Sequence, residues 1–242
     1  MSAKEKLMSV APTPNNQLAH FSIDHYEHMV SCGAFEYGLT SKHVELLRGT
    51  LYEKYGKGPA HFSLEEYEHL VAVGAFDAPY DLRVELLHGA INMMSPIGPS
   101  HSNLVDFLTK WSFQSIANLP LRVRVQNPIR LPSVDSEPEP DICWVNEDDY
   151  SQEHPGPDDV LLIIEVAGSS LLYDRDSKLS VYASAGIKDY WIANISESRL
   201  EVYREPKGDS YQQQILLKDD EAISPSIQPS AKLAVSNLFP AK

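Results

Sequence analysis

The sequence predicts a mixed α/β (α+β) fold, a central mixed sheet flanked by helices and preceded by a duplicated helix-strand segment. Beyond residue 80, short apolar runs of strand length are interrupted by two longer patterns of helical period. One run, Val160-Leu161-Leu162-Ile163-Ile164-Glu165-Val166, is apolar enough to be a central strand covered on both faces. Near the start, His20-Phe21-Ser22-Ile23-Asp24-His25-Tyr26-Glu27-His28-Met29-Val30 recurs as His61-Phe62-Ser63-Leu64-Glu65-Glu66-Tyr67-Glu68-His69-Leu70-Val71.

The duplication has an offset of 41 residues and continues past the first motif. Gly33-Ala34-Phe35 matches Gly74-Ala75-Phe76. After a one-residue shift Val44-Glu45-Leu46-Leu47-Arg48-Gly49 matches Val84-Glu85-Leu86-Leu87-His88-Gly89, and Gly58-Pro59-Ala60-His61 matches Gly98-Pro99-Ser100-His101. Two copies are too few for a solenoid, which needs about three or more repeats to bury a continuous core. Each copy reads as a short amphipathic helix capped by Ser22 or Ser63, then a Gly-Ala-Phe turn and a strand. Only the second copy leads directly into the rest of the chain. The expected organisation is a flexible terminus over 1–17, the first copy over 18–60 as an added layer or interaction surface, and one domain over 61–242.

The elements beyond the repeats follow from pattern. Val84 to Met94 alternates around Gly89 as a strand pair, and Ser95-Pro96-Ile97-Gly98-Pro99 is a stiff turn. Ser100 is positioned to cap a helix over His101 to Ala117, whose apolar stripe is Leu104, Val105, Leu108, Trp111 and Ile116. Strands are expected over Leu121 to Leu131, Pro140 to Val145 and Val160 to Val166. A helix over 174–185 would be capped by Asp174 and stopped by Gly186, with Leu179, Tyr182 and Ala183 buried. Strands near Asp189 to Asn194 and Arg199 to Arg204, and an edge strand at Tyr211 to Leu217, complete the sheet; the apolar Leu238-Phe239-Pro240 ends it.

Composition narrows the function. A chain of 242 residues with 43% hydrophobic content can build a real core. No stretch approaches the roughly 18 apolar residues of a membrane span. Met1 to Gln17 is polar and lacks a secretory apolar stretch, so the expected location is cytoplasmic. Cys32 and Cys143 are too few and too distant for a disulfide framework or zinc site and read as reduced thiols. The net charge of −14 weighs against a protein that coats nucleic acid nonspecifically. Arg122, Arg124 and Arg130 could offer a strand face to a phosphate backbone, although an exposed, solubilising face accounts for them more simply.

A carboxylate inside the apolar run at Glu165 costs several kcal/mol unless a cation or hydrogen bonds compensate it. Asp141, fixed by Pro140, would lie beside it if the two strands are neighbours, and the pair could share a cation of the magnesium or manganese type. Such a cation polarises a phosphoryl group and supplies hydroxide. A lysine commonly placed two residues after the glutamate is replaced here by Ala167. Lys178, 13 residues beyond Glu165, can fold back to orient or deprotonate water and stabilise charge, with Asp174 one helical turn earlier as an ion partner or simply as the cap. Glu85 reads either as a strand-end ion pair or as a third site carboxylate, and His101 as a helix-start residue.

These residues resemble a known family. Ser136-Glu137-Pro138-Glu139-Pro140-Asp141-Ile142, Asp159 to Ala167, and Tyr173 to Ile187, with Val84 to Gly89 and Ser95 to His101 ahead of them, resemble the Uma-type family of putative restriction endonucleases over about residues 61 to 240. The resemblance implies the PD-(D/E)XK restriction-endonuclease-like fold. It implies Asp141 and Glu165 as metal-binding acids, Lys178 as a catalytic lysine moved to the helix, and Glu85 as the upstream acid. The expected function is Mg²⁺- or Mn²⁺-dependent hydrolysis of DNA phosphodiesters, with a homodimer as the candidate assembly and no membrane partner. The rival expectations are a noncatalytic binding or assembly protein that retains the fold, and a hydrolase of RNA or nucleotides.

Overall fold

The computed structural model describes residues 18–37, 40–56 and 58–239. The expected flexible terminus over 1–17 and Pro240 lie outside them. Helix α1 (Ile23–Ser31), the short pair β1 (Glu36–Tyr37) and β2 (Thr40–Ser41), and hairpin β3 (Val44–Leu47) with β4 (Thr50–Glu53) form the first copy. Helix α2 (Leu64–Ala72) and hairpin β5 (Val84–Leu87) with β6 (Ala90–Met93) form the second. Then come α3 (Pro99–Ile116), β7 (Leu121–Val125), β8 (Ile142–Asn146), β9 (Val160–Ala167), α4 (Leu171–Tyr173) and, after a π turn over Asp174–Lys178, α5 (Leu179–Ser184). Strands β10 (Asp189–Asn194), β11 (Arg199–Lys207) and β12 (Ser210–Lys218), the pair β13 (Ala222–Ile223) with β14 (Leu233–Ala234), and α6 (Val235–Leu238) follow.

The mixed fold is as the sequence predicts. Six strands form one sheet in the order β12-β11-β10-β9-β8-β7, parallel only between β9 and β10. The apolar β9 is internal, and its pleat sends alternate residues to opposite faces. Leu162, Ile164 and Val166 join the core beneath α3 and α6 with Leu108, Trp144 and Trp191. Ile163 and Ala167 join the core beneath α5 with Val181, Tyr182 and Tyr190. Glu165 has the same parity as these last residues, so the pleat directs its carboxylate toward the α4–α5 helices. Both cysteines are free thiols. Among the described residues no helix is long and apolar enough to cross a membrane.

The two copies share one core. Met29 and Leu70, at equivalent positions, are both fully buried in it, with Phe21, Phe62, Ala34, Ala75, Leu51 and Ile91. Each helix is capped as expected, Ser22 accepting from the His25 N–H and Ser63 from the Glu66 N–H. In each hairpin the turn needs positive φ twice, at Arg48-Gly49 and His88-Gly89, the geometry that fits strand twist. A Cβ on Gly89 would collide with the His61 ring, so that glycine also admits a close approach.

Several local expectations are corrected. The strand expected to reach Leu131 ends at Val125, because Gln126 takes φ +50 and turns the chain away. The cap of α3 is Gly98 with Pro99 in the first turn, so Ser100 is already helical. Asp174 is not the N-cap: the helix begins at Leu171, and Asp174 closes that turn and opens the π turn. The matched Gly-Pro-x-His stretches also diverge. Pro59 forms a bridge to Tyr52 and Ala60 bonds Leu51, whereas Pro99 starts a helix whose amphipathic stripe continues to Ile116.

Away from Glu165 on β9, a second polar knot pins the sheet to its helix. Glu201 on β11 accepts from Arg175, Asn194, Arg199 and Tyr203. Burial works to raise its pKa, but the hydrogen bonds from Arg175, Asn194 and Tyr203 outweigh burial and hold it down to about 2. The folded pKa is depressed, so this contribution is complete above the unfolded glutamate value of roughly 4.3 and is lost as pH falls through about 2. Glu201→Gln is therefore expected to cost about 1–3 kcal/mol at pH 7 and to flatten stability against pH between those limits, read from urea midpoints. Ile164→Ala, at a fully buried position of β9, is expected to cost about 2–5 kcal/mol by the same measurement.

Candidate active site

Asp141 and Glu165 face each other across neighbouring strands, because Ile142 pairs with Ile164 in antiparallel register. The Val166 N–H donates to Asp141 Oδ2 at 2.9 Å, and the Asp141 N–H points to Glu165 Oε2 at 3.4 Å. His101 Nε2, from the first turn of α3, lies 3.0 Å from Asp141 Oδ2, and the Gln126 side-chain amide donates to Oδ1 at 3.0 Å. Thus Asp141 is gripped from the helix, from the end of β7 and from β9.

Lys178 reaches the same point from the helix. Its ammonium lies 2.9 Å from Glu165 Oε1 and 3.3 Å from Glu85 Oε2, and all three side chains are buried. Tyr182, one turn further, donates to Glu165 Oε1 at 2.8 Å. The π turn accommodates an extra residue in the helix and sets the register in which Asp174, Lys178 and Tyr182, at successive spacings of four, all face the sheet. Asp174 is not paired with Lys178; it accepts from Ser170 Oγ at 2.7 Å. Glu85 comes from hairpin β5–β6, which a bridge between Leu86 and Glu137 and a bond from the His88 N–H to Ser136 Oγ hold against the sheet. Its Oε2 also accepts from the Glu139 N–H at 3.2 Å.

The charges are unbalanced. Asp141, Glu165, Asp174 and Glu85 are buried together with Lys178, the one buried ammonium among the described residues. Burial raises the Glu165 pKa against the pull of Lys178, with Asp141, Asp174 and Glu85 adding to the rise. Burial likewise raises Asp174. Burial acts to lower Lys178, but Glu165, Glu85 and Asp174 together hold its ammonium well above the usual range. For Asp141 burial is outweighed by the His101, Val166 and Gln126 hydrogen bonds, so its carboxyl stays below the ordinary value.

Among the described residues no three His, Cys, Asp or Glu side chains converge into a ready-made cation cage. The donor set does fit a hard cation of the kind that takes one or two carboxylates and fills its other positions with water and phosphate. A carboxylate offers about four acceptor sites. Asp141 uses three, and Glu165 Oε2 is engaged only by the long contact from Asp141, so each acid retains capacity toward a recess of about 60 Å³. Arg83, Glu139, Ser95 and Tyr173 also line that recess.

The structure brings together all four residues singled out from sequence, Asp141, Glu165, Lys178 and Glu85. Sequence reading missed the roles of His101, Gln126 and Tyr182. Tyr182 was accessible from its spacing of four from Lys178; the other two depend on packing between distant segments. The arginines form no free basic face. Arg122 pairs with Glu147, Arg130 is clamped by Glu65, Glu68 and Glu153, and Arg124 is half-buried beside His154.

Comparison with known proteins agrees with this fold. Among curated proteins none matches the chain. One solved structure, a putative nuclease belonging to DUF820 from Anabaena variabilis, superposes with a TM-score of 0.58 at 16% identity, over 74% of this chain and 97% of that one. The model of the Uma2 family, described as putative restriction endonuclease, matches residues 64–236. With most of its length matched, from helix α2 through helix α6, the chain belongs to the Uma2 family of putative restriction endonucleases.

Proposed function

We propose that the chain is a Mg²⁺- or Mn²⁺-dependent endonuclease that hydrolyses DNA phosphodiesters, with 61–242 as the nuclease domain and 18–60 as an accessory copy. The observation that carries this reading is the buried excess of carboxylates over the single ammonium of Lys178, on elements from four parts of the chain. A structural ion pair would need one acid. Asp141 and Glu165 are the ligands assigned to the cation, which when bound acts as a Lewis acid on the phosphoryl group and lowers the pKa of water.

The chain's own groups do the rest. Asp141 is oriented by His101, Gln126 and the Val166 N–H, and Glu165 by Lys178 and Tyr182. Lys178 is kept charged, so its role is to orient the attacking water and stabilise charge developing on phosphorus-bound oxygen, not to accept a proton. Two of its three N–H bonds are engaged by Glu165 and Glu85, which leaves one for substrate. The water oxygen bonds to phosphorus and the bond to the leaving sugar oxygen breaks. One water proton ends on that leaving oxygen, and the other stays with the product phosphate or passes to solvent.

Supercoiled plasmid incubated with Mg²⁺ or Mn²⁺ is expected to be cut by the intact protein, and Asp141→Ala or Lys178→Ala is expected to lower the rate by at least about 100-fold. Calorimetric Mn²⁺ binding should disappear in Asp141→Ala; binding that survives intact would remove Asp141 from the ligand set. Persistent inactivity of the intact protein on duplex and single-stranded DNA with either metal would overturn the nuclease reading. Lys178→Met leaves two buried acids uncompensated and is expected to destabilise the fold by about 3–5 kcal/mol, partly restored by adding Glu85→Gln, both read from urea midpoints.

A further inference from the structure

The two N-terminal copies meet as equals. His28 Nε2 donates to the Gly74 carbonyl at 3.1 Å, and its counterpart His69 donates to the Gly33 carbonyl at 3.0 Å. The Ala19 N–H bonds the Ile91 carbonyl at 2.9 Å, and the N–H of Ala60, which with Pro59 leads into α2 as Leu18-Ala19 leads into α1 and so acts structurally with the second copy, bonds the Leu51 carbonyl at 2.8 Å. The bridges from Leu18 to Asn92 and from Pro59 to Tyr52 repeat the exchange. Residue i of one copy touches residue j of the other and j touches i, which is the mark of a two-fold, self-complementary interface. Here both halves lie on one chain.

The outward faces are not equal. In the second copy Leu87 is buried in the core beneath α5, Glu85 is buried beside Lys178, Glu68 pairs with Arg130, and the Leu64 N–H donates to Asp135. At the equivalent first-copy positions Ile23 is 69% and Leu47 48% exposed, against 0% for Leu64 and 4% for Leu87. Among the described residues Glu27 and Glu45 have no ion-pair partner. The pair of copies therefore supports one body and one acidic cluster, where a true two-fold pair of such units would support two.

We propose that the first copy fills, in cis, the self-complementary face through which a second copy of this chain would otherwise pair, making the protein a one-site molecule that nicks duplex DNA. The strand-nicking part rests on the phosphodiesterase reading above. A single site breaks one P–O bond, with one water consumed, per binding event; a concerted cut of both strands needs two sites held in fixed relation. A unit of about 40 residues is too small to bury its own core, so its inner face must be covered, by the neighbouring copy or by another chain.

Sedimentation velocity of the full chain, together with the time course of supercoiled plasmid cleavage in Mn²⁺, tests this. The expected mass is that of the 27.1 kDa monomer. Open-circle plasmid should accumulate first, with linear DNA arising only from later independent nicks. A dimeric full chain, or linear product formed without an open-circle intermediate, overturns the proposal. Absence of any cleavage defeats the phosphodiesterase reading instead, and the mass alone then decides the pairing. A variant lacking residues 1–58, which keeps Pro59 and Ala60, is expected to double its mass by pairing through Leu70, Phe76 and His69; if it folds and stays monomeric, the face is not self-complementary and the proposal fails. Should that variant not fold, the full-chain mass and product order decide.

Discussion

The ion pair of Lys178 with Glu165 is the point on which separate parts of the molecule converge. Glu165 lies within the sheet, Lys178 on a helix whose register a π turn adjusts, and Glu85 on a hairpin outside the sheet. Taking such charges out of water costs several kcal/mol per ion, and a buried pair rarely returns more than well-packed apolar residues of the same volume would. Four acids around one ammonium are worse placed still. The arrangement is therefore poor as a device for stability. Its neighbours supply what stability it has: Tyr182 adds a second donor to Glu165 Oε1, His101 and the Val166 N–H share Asp141 Oδ2, and Gln126 satisfies Oδ1.

The duplication shows the same logic of compulsory partnership on an apolar scale. Nine-residue helices are marginal alone, and an isolated hairpin is marginal too. Neither copy has enough apolar surface to close a core, yet together they bury Met29 and Leu70 completely. The second copy then fixes Glu85 beside Lys178. The first copy thus acts on the acidic cluster only indirectly, by covering the inner face of the unit that presents Glu85.

What could be read from sequence follows from how local each signal is. The apolar run of β9, the serine caps and the Gly-stopped helix depend on neighbours in sequence, and the β10 strand emerges with the bounds that the pattern predicts. Glu165 was legible because a charge in an apolar run is locally anomalous. The errors arose where one backbone torsion or one turn decides. Gln126 breaks a run whose alternation still looks like strand, and a π turn hides behind the ordinary spacing of Asp174 and Lys178. His101 and Gln126 belong to no local pattern around Asp141; the fold delivers them from 40 and 15 residues away.

An acidic protein and a polyanionic substrate are compatible when charge is read locally. The net charge of −14 is spread over a surface on which many carboxylates are already matched, as Glu147 is by Arg122 and Glu68 by Arg130. Exposed charges lose most of their mutual influence beyond about 8–10 Å at physiological ionic strength, whereas buried ones are screened far less. The four acids beneath the recess therefore dominate the local field, and Lys178 cancels only part of it. The same negative field that would repel a bare phosphate attracts a divalent cation, and a cation held there reverses the sign that a phosphate meets. The acidity of the chain, together with Arg122 and Arg130 locked into local pairs and Arg124 half-buried, thus argues against binding through a broad basic face.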